Sequence, residues 1–222
     1  MRIPSGTLIT ARALLFDMDG TLVDSTTAVK RIWDRWAQKH GLSFSDLEHR
    51  MHGRRAIDTM TEMAPPGIDP EQEVLQLDEE ELNETDGIVP IPGAAELLAS
   101  LPRGSWALVT SARPPLALAR MTAAGLPMPD IVVTSTDVAQ GKPHPDCYQL
   151  ALDRLEIAAE SAVVFEDAPA GLAAGRAAGC RTIALATITP SEQLGHEDWL
   201  HDLTSVVLES VLPDGTLQLR IR

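Results

Sequence analysis

Four small groups of polar residues carry the chemistry legible in this chain. Asp17 and Asp19 flank a single methionine, Thr110 stands beside Ser111, Lys142 lies between Gly141 and Pro143, and Glu166 precedes Asp167. Each group follows a short apolar run or sits in the loop beyond one: Ala13 to Phe16, Trp106 to Val109, Ile131 to Val133 and Ala162 to Phe165. Two carboxylates, hydroxyls, one lysine and two further carboxylates are the set that phosphoryl transfer through an aspartyl-phosphate requires. A carboxylate nucleophile divides the displacement into two steps. Carboxylates gathered in one place repel one another, so they need a hard cation with oxygen ligands. Mg²⁺ suits a few carboxylates, some waters and a substrate phosphate oxygen. Lysine brings compact positive charge to the phosphoryl oxygens, and a threonine hydroxyl with nearby backbone N–H groups holds another of them.

Such groups act together only if the fold places them together. The four apolar runs read as buried strands bounded by turn residues, and Thr182 to Ala186 reads as a further one. Helical patterns cover Ala94 to Leu101, Pro114 to Ala124, Pro145 to Leu155 and Ala170 to Ala178, with Gly125 and Gly179 as caps of the second and fourth. Strands alternating with helices predict the α/β class, a doubly wound parallel sheet with helices on both faces. Ligands in such a sheet bind at the carboxyl ends of the strands, near the point where strand order reverses, and that is where the four polar groups fall. The tail, Ser205 to Leu208 and Thr216 to Ile221 around Pro213-Asp214-Gly215, predicts a hairpin at a sheet edge. Between Ser25 and Leu82 no strand pattern appears, while Val29, Ile32, Trp33 and Trp36 follow a helical period. The chain is therefore read as a core of residues 1–23 and 90–222, with an all-helical insert, residues 24–89, after the first strand.

The segment Leu15-Phe16-Asp17-Met18-Asp19-Gly20-Thr21-Leu22 resembles the first motif of the haloacid dehalogenase superfamily. Val109-Thr110-Ser111, Gly141-Lys142-Pro143 and Phe165-Glu166-Asp167 resemble its second, third and fourth motifs, in the right order. The resemblance implies a Rossmann-like core with a mobile helical cap, and it implies roles. Asp17 is the nucleophile and a metal ligand. Asp19 is the general acid/base, touching the metal through its backbone carbonyl. Thr110 and Ser111 bind phosphate, Lys142 neutralises charge on nucleophile and phosphoryl group, and Glu166 and Asp167 complete the Mg²⁺ shell. The second aspartate of the first motif favours phosphate esters over carbon–halogen bonds, because dehalogenation needs no acid there. Within the insert, His52-Gly53-Arg54-Arg55 is similar to the His-Gly-x-Arg segment of small sugar-phosphate and glycerol-phosphate phosphatases. That likeness makes Arg55, then Arg54, with Gly53 allowing close approach, the substrate-contacting candidates. The implied activity is Mg²⁺-dependent hydrolysis of a small sugar or polyol phosphate. A sugar phosphomutase and a non-catalytic phospholigand-binding protein on the same fold are the alternatives.

Composition bounds the rest. The 222 residues include 18 basic and 32 acidic side chains, a formal charge of -14. That balance excludes nucleic acid and anionic membranes as natural partners, and it obliges any phosphate site to supply local positive charge or a metal. The expected partner is a small phosphorylated metabolite, and the chain is expected to be a monomer or weak homo-oligomer. Cys147 and Cys180 stand far apart without ligand spacing and read as reduced thiols. His40, His49, His144, His196 and His201 show no metal-ligand spacing, and Trp33 and Trp36 read as core of the cap. The first residues hold no apolar stretch with a cleavage site, so a cytoplasmic location is expected.

Overall fold

The computed structural model describes residues 1–194 and 197–222, without the side chain of His49. The readings of His196 and of the His49 side chain lie outside the described residues. Two strands, β1 (Leu8–Ala11) and β2 (Ala13–Phe16), are followed by the two-residue β3 (Val23–Asp24). Four helices come next: α1 (Thr26–Lys39), α2 (Phe44–Met51), α3 (Ala56–Met63) and α4 (Pro70–Asn83). The chain returns through β4 (Val89–Pro90), which pairs antiparallel with β3 and so brings the two connections side by side. Then follow α5 (Ala94–Ser100), β5 (Trp106–Val109), α6 (Pro114–Ala123), β6 (Ile131–Val133), α7 (Asp146–Leu155), β7 (Ala162–Glu166), α8 (Pro169–Ala177) and β8 (Arg181–Leu185). The last strands are β9 (Trp199–Leu200), β10 (Val206–Val211) and β11 (Leu217–Ile221).

The main sheet has the order β6-β5-β2-β7-β8-β9, every neighbouring pair parallel. Strands β2 and β5 are buried at every residue, as expected of strands covered on both faces. Alternate side chains feed two apolar clusters. Leu14, Phe16, Leu108 and Phe165 face one that includes Leu97 and Leu98 of α5 and Ala117 and Met121 of α6. Leu15, Ala107, Val109 and Val164 face the other, with Tyr148, Ala151 and Leu152 of α7 and Ala174 of α8. Order reverses at β2: the chain runs outward through β5 and β6, then returns to β7 on the other side.

Two details differ from expectation. The C-terminal hairpin does not extend the main sheet. β10 and β11 form a separate three-stranded antiparallel sheet with β1, in the order β1-β11-β10, and Leu217, Leu219 and Ile221 pack into the first cluster. The strand read as first is therefore the second, and the helical insert follows three strands. The alternation in Leu8–Ala11, exposed and buried by turns, is too short to stand out in sequence.

Helices α1 to α4 bury their own apolar cluster, including Ile32, Trp33, Trp36, Leu47, Met60 and Leu77. Ile32, Trp33 and Trp36 share one face of α1. Asp69 caps α4 by accepting from the Glu71 N–H at 3.0 Å, with Pro70 in the first helical position. Cys147 and Cys180 are free and buried, and burial pushes both thiols up to about 11. Among the described residues no helix is long and apolar enough to cross a membrane.

Candidate active site

The carboxyl ends of β2, β5 and β7 converge at the point of strand reversal, and parallel register makes the convergence close. Phe16 lies opposite both Leu108 and Phe165. The next residues, Asp17, Val109 and Glu166, therefore come level, and the Asp17 N–H donates to the Phe165 carbonyl at 3.1 Å. Beyond Asp17 the chain turns tightly, with Thr21, Leu22 and Val23 N–H groups all directed at the Met18 carbonyl. Gly20 takes φ +81° in this turn, and a Cβ there would lie 2.3 Å from Asp167 Oδ2, so only glycine fits.

Lys142 joins the groups. Its loop enters after β6 through a cis Lys142–Pro143 bond. The side chain is 1% exposed, and Nζ donates to Asp17 Oδ1 at 2.6 Å, Glu166 Oε1 at 2.6 Å and the Val109 carbonyl at 3.0 Å. Burial opposes the ammonium charge, but Asp17 and then Glu166 outweigh it and hold Lys142 above its ordinary value. Glu166 also accepts from the Tyr148 hydroxyl at 3.0 Å and from the N–H groups of Asp167 and Ala168 at 3.1 and 3.2 Å. With four such partners it holds Lys142 against Asp17 as well as adding charge.

Asp17, Glu166 and Asp167 are all buried, and each offers an oxygen within 4.8 Å of the others. Among the described residues this is the group of acidic, histidine or cysteine side chains able to hold an ion. Burial, then the Glu166 carboxylate, pushes Asp17 up to about 7 against the pull of Lys142. Burial, then Glu166 and Asp17, holds Asp167 well above the usual carboxylate range. One lysine is too little positive charge for three buried carboxylates, and the donors are all hard oxygens, which fits a divalent cation. The Asp19 side chain is outside this trio. Its Oδ1 accepts from Ser25 Oγ at 2.6 Å and its Oδ2 from Arg120 at 2.7 Å.

A cavity of about 440 Å³ lies between the strand ends and helices α1 to α4. Asp17, Asp19, Thr110 and Asp167 line its floor, and Trp33 and Asp78 line the helical side. Thr110 is buried, its hydroxyl accepting from the Ala112 N–H at 3.0 Å. Ser111 donates to the Gly53 carbonyl at 2.9 Å, so it ties the insert to the sheet. Gly53 has φ +73°, and a Cβ there would be 2.7 Å from Ala168 Cβ. Arg54 and Arg55 border the cavity, yet both guanidinium groups are engaged elsewhere. Arg55 grips Asp58 with two bonds of 2.8 Å and donates to the Val138 and Ala139 carbonyls at 3.3 and 3.2 Å. Arg54 pairs with Glu62 at 2.9 Å. Trp33 and Trp36 belong to the helical core as expected, although Trp33 also shows an edge to the cavity. His40 pairs with Glu73, and His144 with Asp146.

Sequence reasoning passed over Arg120, Glu81, Asp78 and Arg113. Arg120 bridges Asp19 and Glu81, and Arg113 pairs with Asp78 at 3.4 Å. The signal was periodicity. Arg120 falls on the face of α6 that buries Leu116 and Ala117, and Glu81 on the face of α4 that buries Val74 and Leu77. A charge on an apolar helix face must have a buried partner.

Known proteins share these features. The haloacid dehalogenase-like hydrolase family model matches residues 11–179. Hexitol phosphatase A of Escherichia coli is 41% identical over 202 residues, covering 89% of this chain and 94% of that protein. Glycerol-1-phosphate phosphohydrolase 1 of Saccharomyces cerevisiae is 34% identical over 195 residues, covering 79% of this chain and 74% of that protein. The crystal structure of CbbY from Rhodobacter sphaeroides in complex with phosphate superposes with a TM-score of 0.74 at 25% identity, covering 87% of this chain and 95% of that one. A family match across most of the chain, relatives this similar over about three quarters or more of their lengths, and a buried Asp17–Lys142–Glu166–Asp167 cluster at the strand reversal together mean that the chain belongs to the haloacid dehalogenase-like hydrolases.

Proposed function

We propose that the protein is a Mg²⁺-dependent phosphatase of a small sugar or polyol phosphate, using Asp17 as nucleophile. The observation that carries the reading is the contact of Lys142 with Asp17 and Glu166, directly beneath a cavity of metabolite size whose floor Asp17 and Asp167 line. The relatives named for hexitol and glycerol phosphates support the polyol class. Asp17 attacks the phosphorus in line, and Lys142 balances the charge gathered on its carboxylate and the phosphoryl oxygens. Thr110 and Ser111 stand beside the phosphoryl oxygens. Asp19, two residues along the same turn, gives its proton to the leaving oxygen and then takes one from the attacking water. Asp17, Glu166 and Asp167, with the Asp19 backbone carbonyl, would hold Mg²⁺, which supplies charge neutralisation for the phosphate when bound. Residues 24–89 act as a cap that excludes water and selects the leaving group, with Gly53, Arg54 and Arg55 forming its edge over the site. The setting is a cytoplasmic one, with a free small metabolite as substrate.

A panel of phosphate esters followed by phosphorus NMR tests the reading. Free phosphate is the expected product, fastest from hexitol, hexose or glycerol phosphates. An isomerised ester without free phosphate replaces the reading with a phosphomutase.

Metal dependence has a predictable pH signature. The folded-state value of Asp17, about 7, lies above its ordinary value of 3.8. Without metal, the stability linked to this proton is full below about pH 4 and is lost as pH rises toward 7. Mg²⁺ binds the deprotonated form, so its stabilisation grows over the same window. At 100-fold above its dissociation constant the ion adds about 2.7 kcal/mol, roughly 5–10 °C in Tm for a chain of this size. The expected result is a Mg²⁺-induced rise in Tm that is large at pH 8, small at pH 5 and abolished by EDTA. An equal rise at both pH values contradicts it.

A further inference from the structure

Arg120 is a core residue with a cap partner. It lies on α6 with its side chain 7% exposed, and Nη1 donates to Asp19 Oδ2 at 2.7 Å. Nη2 lies 3.1 Å from Oε1 of Glu81, on α4 of the helical insert, and the Glu81 side chain is 6% exposed. On its far side Asp19 accepts from Ser25 Oγ at 2.6 Å. The other charged pair on this wall, Asp78 with Arg113, is near enough to feel the bridge: the Arg120 charge favours ionised Asp78, and Asp78 in turn disfavours ionised Glu81. Arg120, Asp19 and Glu81 thus form a three-member chain linking the sheet side of the cavity to its lid.

The chemistry of the three groups makes the link directional. A buried guanidinium needs opposite charge, and here two carboxylates share one. The planar fork of arginine presents donors on separate nitrogens and can span both, whereas an ammonium on a flexible stem cannot hold the same two directions. Arginine offers no acceptor, so Asp19 Oδ2 is committed to it. Oδ1 faces a hydroxyl able to donate or accept, and is the oxygen left for the reacting group.

We propose that Arg120 is a positioning residue that sets the orientation of the Asp19 carboxyl and, through Glu81, makes that orientation depend on docking of α4 over the sheet. Withdrawal of α4 takes Glu81 from Arg120 and loosens the hold on Asp19. Proton donation to the leaving oxygen is thereby confined to the closed, substrate-filled enzyme. The inference rests on the phosphatase reading with Asp19 as proton donor.

The test compares kcat/KM in Mg²⁺ for glycerol 1-phosphate or a hexitol phosphate, whose alkoxide must be protonated as it leaves, with that for 2,4-dinitrophenyl phosphate, whose leaving group needs no proton. This parameter reports steps up to the first phosphoryl transfer, so hydrolysis of the phospho-enzyme does not obscure it. For Arg120→Gln, the expected loss is about 100-fold on the alkyl ester and less than about 5-fold on the aryl ester, the difference being the share of general acid catalysis. Arg120→Lys recovers part of that difference, and Glu81→Gln shows a split in the same direction of roughly 10-fold. Should Arg120→Gln fail to fold, Arg120→Lys and Glu81→Gln carry the same comparison. Equal losses on both esters, or no split in Glu81→Gln, overturn the proposal while leaving the phosphatase reading intact. A wild-type chain that releases phosphate from neither ester removes both.

Discussion

Asp17→Asn is expected to lower phosphate release by about 10⁴-fold or more while leaving the protein folded, because an amide keeps the shape of the carboxylate and loses its nucleophilicity. The surroundings make this a clean test. Asp17 is buried, and its Oδ1 accepts from Lys142 at 2.6 Å, a bond that an amide oxygen can also accept. Burial and the Glu166 charge already push Asp17 up to about 7, so the folded chain works against its ionised form. The amide relieves that cost. Above pH 7 without metal, the variant should melt at or above the parent temperature. Pre-steady-state phosphate release and melting curves with and without Mg²⁺ measure both effects. Retained turnover would eliminate the covalent mechanism, and loss of folding would contradict the electrostatic account of Asp17.

Lys142→Met is expected to have the second largest effect, on stability as well as rate. The substitution keeps an unbranched chain of similar length and removes the cation that three acceptors share. Asp17 and Glu166 would then be buried without their counter-charge, which costs about 3–5 kcal/mol for a broken buried pair and about 10 °C in Tm for a chain of this size. Glu166 keeps Tyr148 and two backbone N–H donors, so Asp17 is the less supported of the two. Loss of a preorganised charge at the transferring phosphoryl group should reduce kcat by about 10²–10³-fold. The deficit in Tm should shrink as pH falls from 8 to 5, because protonation neutralises the orphaned Asp17, whose native value lies above the unfolded one. A deficit that stays constant with pH would show that Lys142 stabilises by packing rather than by charge.

The two variants and the Arg120 comparison address different parts of one arrangement. In the proposed mechanism Asp17 performs the chemistry, Lys142 keeps its neighbourhood electrostatically tolerable, and Arg120 holds Asp19 at the interface with the insert. Arg55 is placed differently from Arg120, although both reach between insert and core. Its guanidinium is spent on Asp58 and on two carbonyls of the loop before Lys142. It therefore holds the insert edge against the loop that delivers the lysine, as well as bordering the cavity.

Much of the frame was legible in residues 13–186. Short apolar runs ending in Asp17, Thr110 and Glu166 identify strands buried on both faces, because an unbroken apolar run of four or five residues between turns has the length of a strand and is too short for a helix. Parallel alternation then requires the ends of those strands to lie on one edge, and the local pattern sufficed to bring Asp17, Lys142, Glu166 and Asp167 together. The helical nature of the insert was equally local, since the period of Ile32, Trp33 and Trp36 belongs to one helix face. What depended on pairing between distant segments was not legible. The tail hairpin joins Leu8–Ala11 rather than the main sheet, a choice between edges that no local pattern encodes. Arg54 and Arg55 carry free charge in sequence, and only the folded chain shows the carboxylates and carbonyls that occupy them. The bridge from Asp19 through Arg120 to Glu81 joins positions separated by 101 residues on one side. By itself, then, the sequence determined the central strands β2, β5, β6, β7 and β8, the helices between them and the acidic edge they share, because periodicity and turn chemistry are local. The tertiary structure alone decided which charges meet across the insert and the core, because a buried ion pair is specified by the packing of two helices and not by either one.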